Sequence, residues 1–156
     1  MTLRDCFASI QGDYEGLMSR VMTEKLAERL VLKFLEDPNF GQLVEGIEQE
    51  DYEKAFRGAH TLKGVCASLG FTRLQEVSSQ FTEELRGREK PEHMELLELV
   101  RQEYDRVCIA LRSYRVSNGL KGSVAVKHRD CPSSLTAEIF PLWAFTIACA
   151  TDNPMP

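Results

Sequence analysis

Along residues 1–115 the apolar positions recur every three or four residues, the period of α-helices that each bury one face. Leu26, Leu30 and Phe34 step by four, with Ala27, Val31 and Leu35 beside them. Tyr52, Ala55, Phe56, Ala59, Leu62, Cys66 and Leu69 form a second stripe, and Leu97, Val100, Tyr104, Val107, Leu111 and Tyr114 a third. Polar start and stop signals cut this pattern into segments. Thr2, with Asp5 three residues on, reads as a capping box for a short helix over 3–10. Gly12-Asp13 punctuates the chain before a longer helical region over 14–35, where Thr23 is placed to cap a second segment. Asp37-Pro38 opens a helix over 37–47, with Asp as N-cap and Pro at the first helical position. Asp51 caps 51–69, which Gly70 closes. Thr72-Arg73-Leu74-Gln75 reads as a capping box for 72–87, and Pro91-Glu92 starts a last helix over 91–114. No strand-like alternation occurs in 1–115. Short connections make sequential helices antiparallel. The expected fold is all-α: an antiparallel four-helix bundle with short extra N-terminal helices.

The pattern stops near residue 115, which divides the chain into a helical bundle over 1–115 and a tail over 116–156. The tail holds turn formers such as Asn118-Gly119 and Cys131-Pro132-Ser133-Ser134, and its charges balance. It reads as a poorly ordered or accessory extension, irregular in structure. The net charge of −5, from 19 basic and 24 acidic residues, therefore lies in the bundle. That sign argues against a nucleic-acid binder and against a polybasic membrane-surface protein. The most apolar stretch, 139–150, contains Pro141 and is shorter than the roughly 20 residues of a membrane span. Five cysteines without a Cys-x-x-Cys pair give neither a disulfide framework nor a zinc site, and no leader is visible. A reduced, cytoplasmic setting is expected, with no metal or cofactor of the chain's own.

Segment 51–69 carries the candidate chemistry. At about 100° per residue its apolar stripe centres roughly 130° from His60. His60 is thus expected toward solvent, at the margin of the buried face. Arg57 and Lys63 stand three residues to either side, Gly64 four residues on and Ala67 seven. Gly64 lowers helix stability by about 1 kcal/mol relative to Ala, which points to a need for close approach. An imidazole is a competent nucleophile near neutral pH, and flanking cations stabilise a phosphoryl group carried on it.

The string Ala59-His60-Thr61-Leu62-Lys63-Gly64, followed by Ala67-Ser68-Leu69-Gly70-Phe71, resembles the histidine-containing phosphotransfer (HPt) family of bacterial multistep phosphorelays, whose core pattern is His-x-x-Lys-Gly. Ala67 departs from the Gly that many members carry there. The resemblance implies a phosphorelay intermediate rather than an enzyme in its own right. His60 would take a phosphoryl group from a receiver-domain aspartyl phosphate and pass it to another receiver. Lys63 would stabilise the phosphohistidine, and Gly64 would leave room for phosphate and partner. The implied partners are response-regulator receiver domains, which supply the Mg²⁺, and a hybrid sensor histidine kinase. The docking surface is expected to include Arg57, Ala67 and Ser68, with Ser78, Ser79 and Thr82 from the next helix. Leu74, Val77, Phe81 and Leu85 of that helix read as core. The competing reading is an adaptor that docks a receiver or kinase without transfer.

Overall fold

The computed structural model describes residues 1–120, which lie within one unit, Met1–Lys121. The tail expected over 116–156 falls, beyond residue 120, outside the described residues. Seven α-helices make up the described part: α1 (Leu3–Ser9), α2 (Tyr14–Val21), α3 (Glu24–Lys33), α4 (Asn39–Glu48), α5 (Tyr52–Leu69), α6 (Thr72–Glu84) and α7 (Glu95–Ser117). A single 3₁₀ turn, Phe34–Glu36, extends α3. Helices α4 to α7 pack sequentially as the bundle, and α1 to α3 add onto it through α7.

Most boundaries follow from local chemistry. The Asp5 N–H donates to Thr2 Oγ1 at 3.1 Å and the Thr2 N–H to Asp5 Oδ2 at 2.9 Å, the reciprocal capping expected for α1. Asp13 and Asp51 cap α2 and α5 by accepting from the Gly16 and Lys54 amides. Gly70 ends α5 in the left-handed region, φ 77°. Its carbonyl accepts from the Asp13 N–H at 2.7 Å, and a Cβ there would stand 2.5 Å from the Asp13 carbonyl oxygen. Only glycine fits that junction between α2 and α5.

Four boundaries or faces differ from the sequence reading. Thr72 is the first residue of α6 and makes no capping bond; Phe71 stands at the N-cap instead. The buried Phe71 ring fixes the chain there, against Phe7 and Phe34. Asn39, rather than Pro38, opens α4, while Asp37 Oδ1 still accepts the Asn39 N–H at 2.9 Å. Helix α6 stops at Glu84 and α7 starts at Glu95, which leaves a ten-residue connection with Arg88 at φ 55°. On α3 the core side is Ala27 and Val31, and Leu26 and Leu30 turn outward at 42% and 36% exposure. The small Ala27 gives the closer-packing face of the two that the four-residue step allows.

The core holds Leu3, Phe7, Leu17, Leu43, Leu62, Leu74, Phe81 and Leu111 fully buried. A continuous run of aromatic contacts crosses it: Tyr14, Phe7, Phe71, Phe34, Tyr104 and Phe40, with successive centroids 4.1–5.9 Å apart. Beside Tyr104, Arg101 is buried and Asp105 has its carboxyl pushed up to about 6 by burial, against the pull of Arg101 and Arg112. Cys6 and Cys66 are free and buried, and Cys108 is buried as well. Among the described residues no helix is long and apolar enough to cross a membrane.

Candidate functional site

Helix α5 is held to the bundle along one side by small residues. Gly58 lies so close to α4 that a Cβ would meet the Leu43 amide nitrogen at 2.7 Å, and Gly46 of α4 lies equally close to Ala55. Ala55, Ala59, Leu62 and Cys66 are fully buried. This seating turns His60, Arg57, Gly64, Ala67 and Ser68 outward, all exposed, with Lys63 half-buried at their edge. The expected outward histidine is therefore what the packing produces. A Cβ built on Gly64 would meet nothing within 4 Å. Its missing side chain serves no helix contact among the described residues and leaves open space one turn beyond the imidazole.

The imidazole itself rests on Phe56, one turn earlier, with centroids 5.8 Å apart and planes 19° from parallel. The Arg88 guanidinium lies over the Phe56 ring, its Cζ 4.0 Å from the centroid. Glu53 joins two cations of this side: Oε2 accepts from Arg88 Nε at 3.0 Å, and Oε1 sits 3.6 Å from Arg57 Nε. At the other end of the face, Ser68 Oγ donates to the Gly64 carbonyl at 3.1 Å, and Arg20 of α2 donates to the Ser68 carbonyl at 3.2 Å. Glu83 of α6 has its carboxyl held below the usual range, chiefly by the bond from Arg86, then by the charge of Arg86, with the field of Lys63 the smallest contribution.

Helix α6 requires one correction to the expected docking surface. Ser79 is half-buried, but Thr82 is only 2% exposed and cannot present itself to a partner; Ser78 is likewise buried. Both lie on the inward stripe of Leu74, Phe81 and Leu85. Thr82 satisfies its hydroxyl inside the helix by donating to the Ser78 carbonyl at 2.6 Å, so polarity did not force it outward. Val77, expected in the core, is half-buried.

Phe56, Glu53, Arg88 and Arg20 complete the neighbourhood and were not singled out by sequence. Phe56 was countable as one more core residue of the stripe, though its position four before His60 was a usable signal. Arg88 sits in a connection 28 positions away and carried none.

The described part is thus a helical bundle with an exposed, mid-helix histidine, bordered by cations and by open space at a glycine. The Hpt domain family matches residues 24–110, and the chain belongs to that family. Hpt domains act as histidine phosphotransfer intermediates in phosphorelay signalling, with receiver domains as partners, and are not classical enzymes. The comparisons with curated proteins and with solved structures gave no match.

Proposed function

We propose that His60 is the phosphoacceptor. Its Nε2 attacks the phosphorus of a receiver aspartyl phosphate; the Nε2–P bond forms as the acyl-phosphate P–O bond breaks, and the aspartate carboxylate leaves. Transfer to a second receiver reverses the exchange. Lys63 offsets the charge of the phosphoryl oxygens, and Gly64 leaves room for them and for the approaching partner. Arg57, Ala67, Ser68 and Ser79 contribute to the docking surface. Mg²⁺ comes with the receiver, and the bundle needs no cofactor of its own. The phosphoryl group originates from a hybrid sensor kinase in the cytoplasm.

The observation that carries this reading is the exposed imidazole beside the open space at Gly64, on the family's fold. Incubation with a phosphorylated receiver tests it. An acid-labile, alkali-stable adduct is expected on the wild type and absent from His60→Gln. An adduct that survives the substitution overturns the assignment, and receiver binding without any transfer turns the protein into an adaptor.

A further inference from the structure

We propose that Arg88 is a positioning residue for transfer at His60, acting through the ring of Phe56; this rests on His60 being the acceptor. An imidazole on an exposed helix face has several rotamers open to it. Here one face of choice is supplied by Phe56, stacked at 5.8 Å. Phe56 is half-buried, packed against the core yet partly open, so its exposed part is left to a second restraint. Arg88 supplies the missing restraint. Its guanidinium lies on the Phe56 ring, donates to Glu53 at 3.0 Å, and also donates to the Arg86 carbonyl.

Each anchor of this assembly has a reason to be where it is. Glu53 and Phe56 belong to the same helix as His60, so their spacing is set by the α5 backbone. Arg88 arrives from the α6–α7 connection, where its left-handed backbone, φ 55°, sits within an otherwise exposed stretch. A non-glycine residue with that geometry is uncommon. The guanidinium is a planar group suited to lie flat on an aromatic ring while its edge binds a carboxylate. The result is a stack that starts at a carboxylate and ends at the nucleophile. It limits the directions in which Nε2 can point before a receiver arrives, and a reacting group held in a productive orientation lowers the barrier to transfer. Arg88 touches Phe56 and not the reacting atoms, so a positioning role predicts its effect on the transfer step, and an effect on docking alone speaks against it.

The test uses the full chain as wild type, Arg88→Ala, Arg88→Lys and Phe56→Leu, with a receiver domain that phosphorylates the wild type. Single-turnover rates are measured over a range of receiver concentrations. Arg88→Ala and Phe56→Leu are expected to lower the limiting rate about five- to tenfold while the half-saturating receiver concentration stays within about twofold. Arg88→Lys, which keeps the cation on the ring, is expected to recover most of the rate. Proton NMR supplies the second readout. The His60 ring signals, identified by their absence in His60→Gln, should carry a ring-current displacement from Phe56 that Phe56→Leu removes and Arg88→Ala reduces. Wild-type limiting rates together with wild-type His60 shifts in Arg88→Ala overturn the proposal. So does a loss expressed wholly as a higher half-saturating concentration. A wild type that accepts no phosphoryl group while binding the receiver fails the functional assignment itself, which a normal wild type with an unaffected Arg88→Ala does not.

Discussion

Gly58 and Leu43 mark the closest seating of α5 on α4: the methyl that glycine lacks would stand 2.7 Å from the Leu43 amide nitrogen. Backbone cannot yield as a side-chain tip can, so Gly58→Ala is expected to destabilise the fold by about 1–3 kcal/mol. Urea unfolding measures this, and an unchanged midpoint would show that the helices can part freely.

Gly64, six residues along the same helix, predicts the opposite sign. Nothing lies within 4 Å of its missing Cβ. Gly64→Ala should therefore raise stability by up to about 1 kcal/mol through helix propensity. The same variant should accept phosphate more slowly from a receiver, since the open space is filled. Faster or equal transfer in a more stable variant would remove the access role given to this glycine.

Lys63 is expected to act on transfer and not on folding. It is half-buried, at the edge of the exposed face beside His60. Lys63→Ala should slow phosphoryl acceptance roughly tenfold, the scale of one charge-assisted contact, and leave the thermal midpoint nearly unchanged. Comparison of both measurements on one preparation separates the two effects.

Asp105 gives a pH signature. Burial raises its carboxyl from 3.8 to about 6, so the folded chain holds that proton more tightly than the unfolded one. Its contribution to stability is fully present below about pH 4 and is lost as the pH rises through 6. The loss is on the order of 1–3 kcal/mol. Asp105→Asn should remove this segment of the profile whatever it does to the baseline. Unfolding series of both proteins from pH 4 to 8 should diverge across that window, and parallel curves would contradict the assignment.

Ser78 is buried, and its hydroxyl has no hydrogen-bond partner among the described residues. Ser78→Ala is expected to be neutral or stabilising by about 1 kcal/mol. Destabilisation in thermal unfolding would mean the hydroxyl is satisfied.

The helices and the outward turn of His60 were legible because one buried stripe per helix is enough to orient it. The stripe of α5 is broad, and His60 lies well off its centre. The stripe of α3 offered two four-residue steps, 26–30–34 and 27–31, and sequence could not choose between them; the smaller Ala27 decided it through packing. For α6 the reading failed at Ser78 and Thr82: the Thr82 hydroxyl bonds within its own helix and so tolerates burial, and Ser78 is small enough to be buried with its hydroxyl unpartnered among the described residues. Arg88 was invisible for a different reason. Its position over Phe56 depends on how a ten-residue connection folds back, which no local period encodes.

The aromatic run from Tyr14 to Phe40 has a practical consequence. Its first two rings lie ahead of the matched span 24–110, and the buried Leu111 and Tyr114 lie after it. A fragment trimmed to the matched boundaries would strip Phe71 of its Phe7 neighbour and lay bare one end of the interior. The autonomous folding unit is therefore larger than the homologous segment, and expression of the shorter piece should yield a loosened, aggregation-prone product.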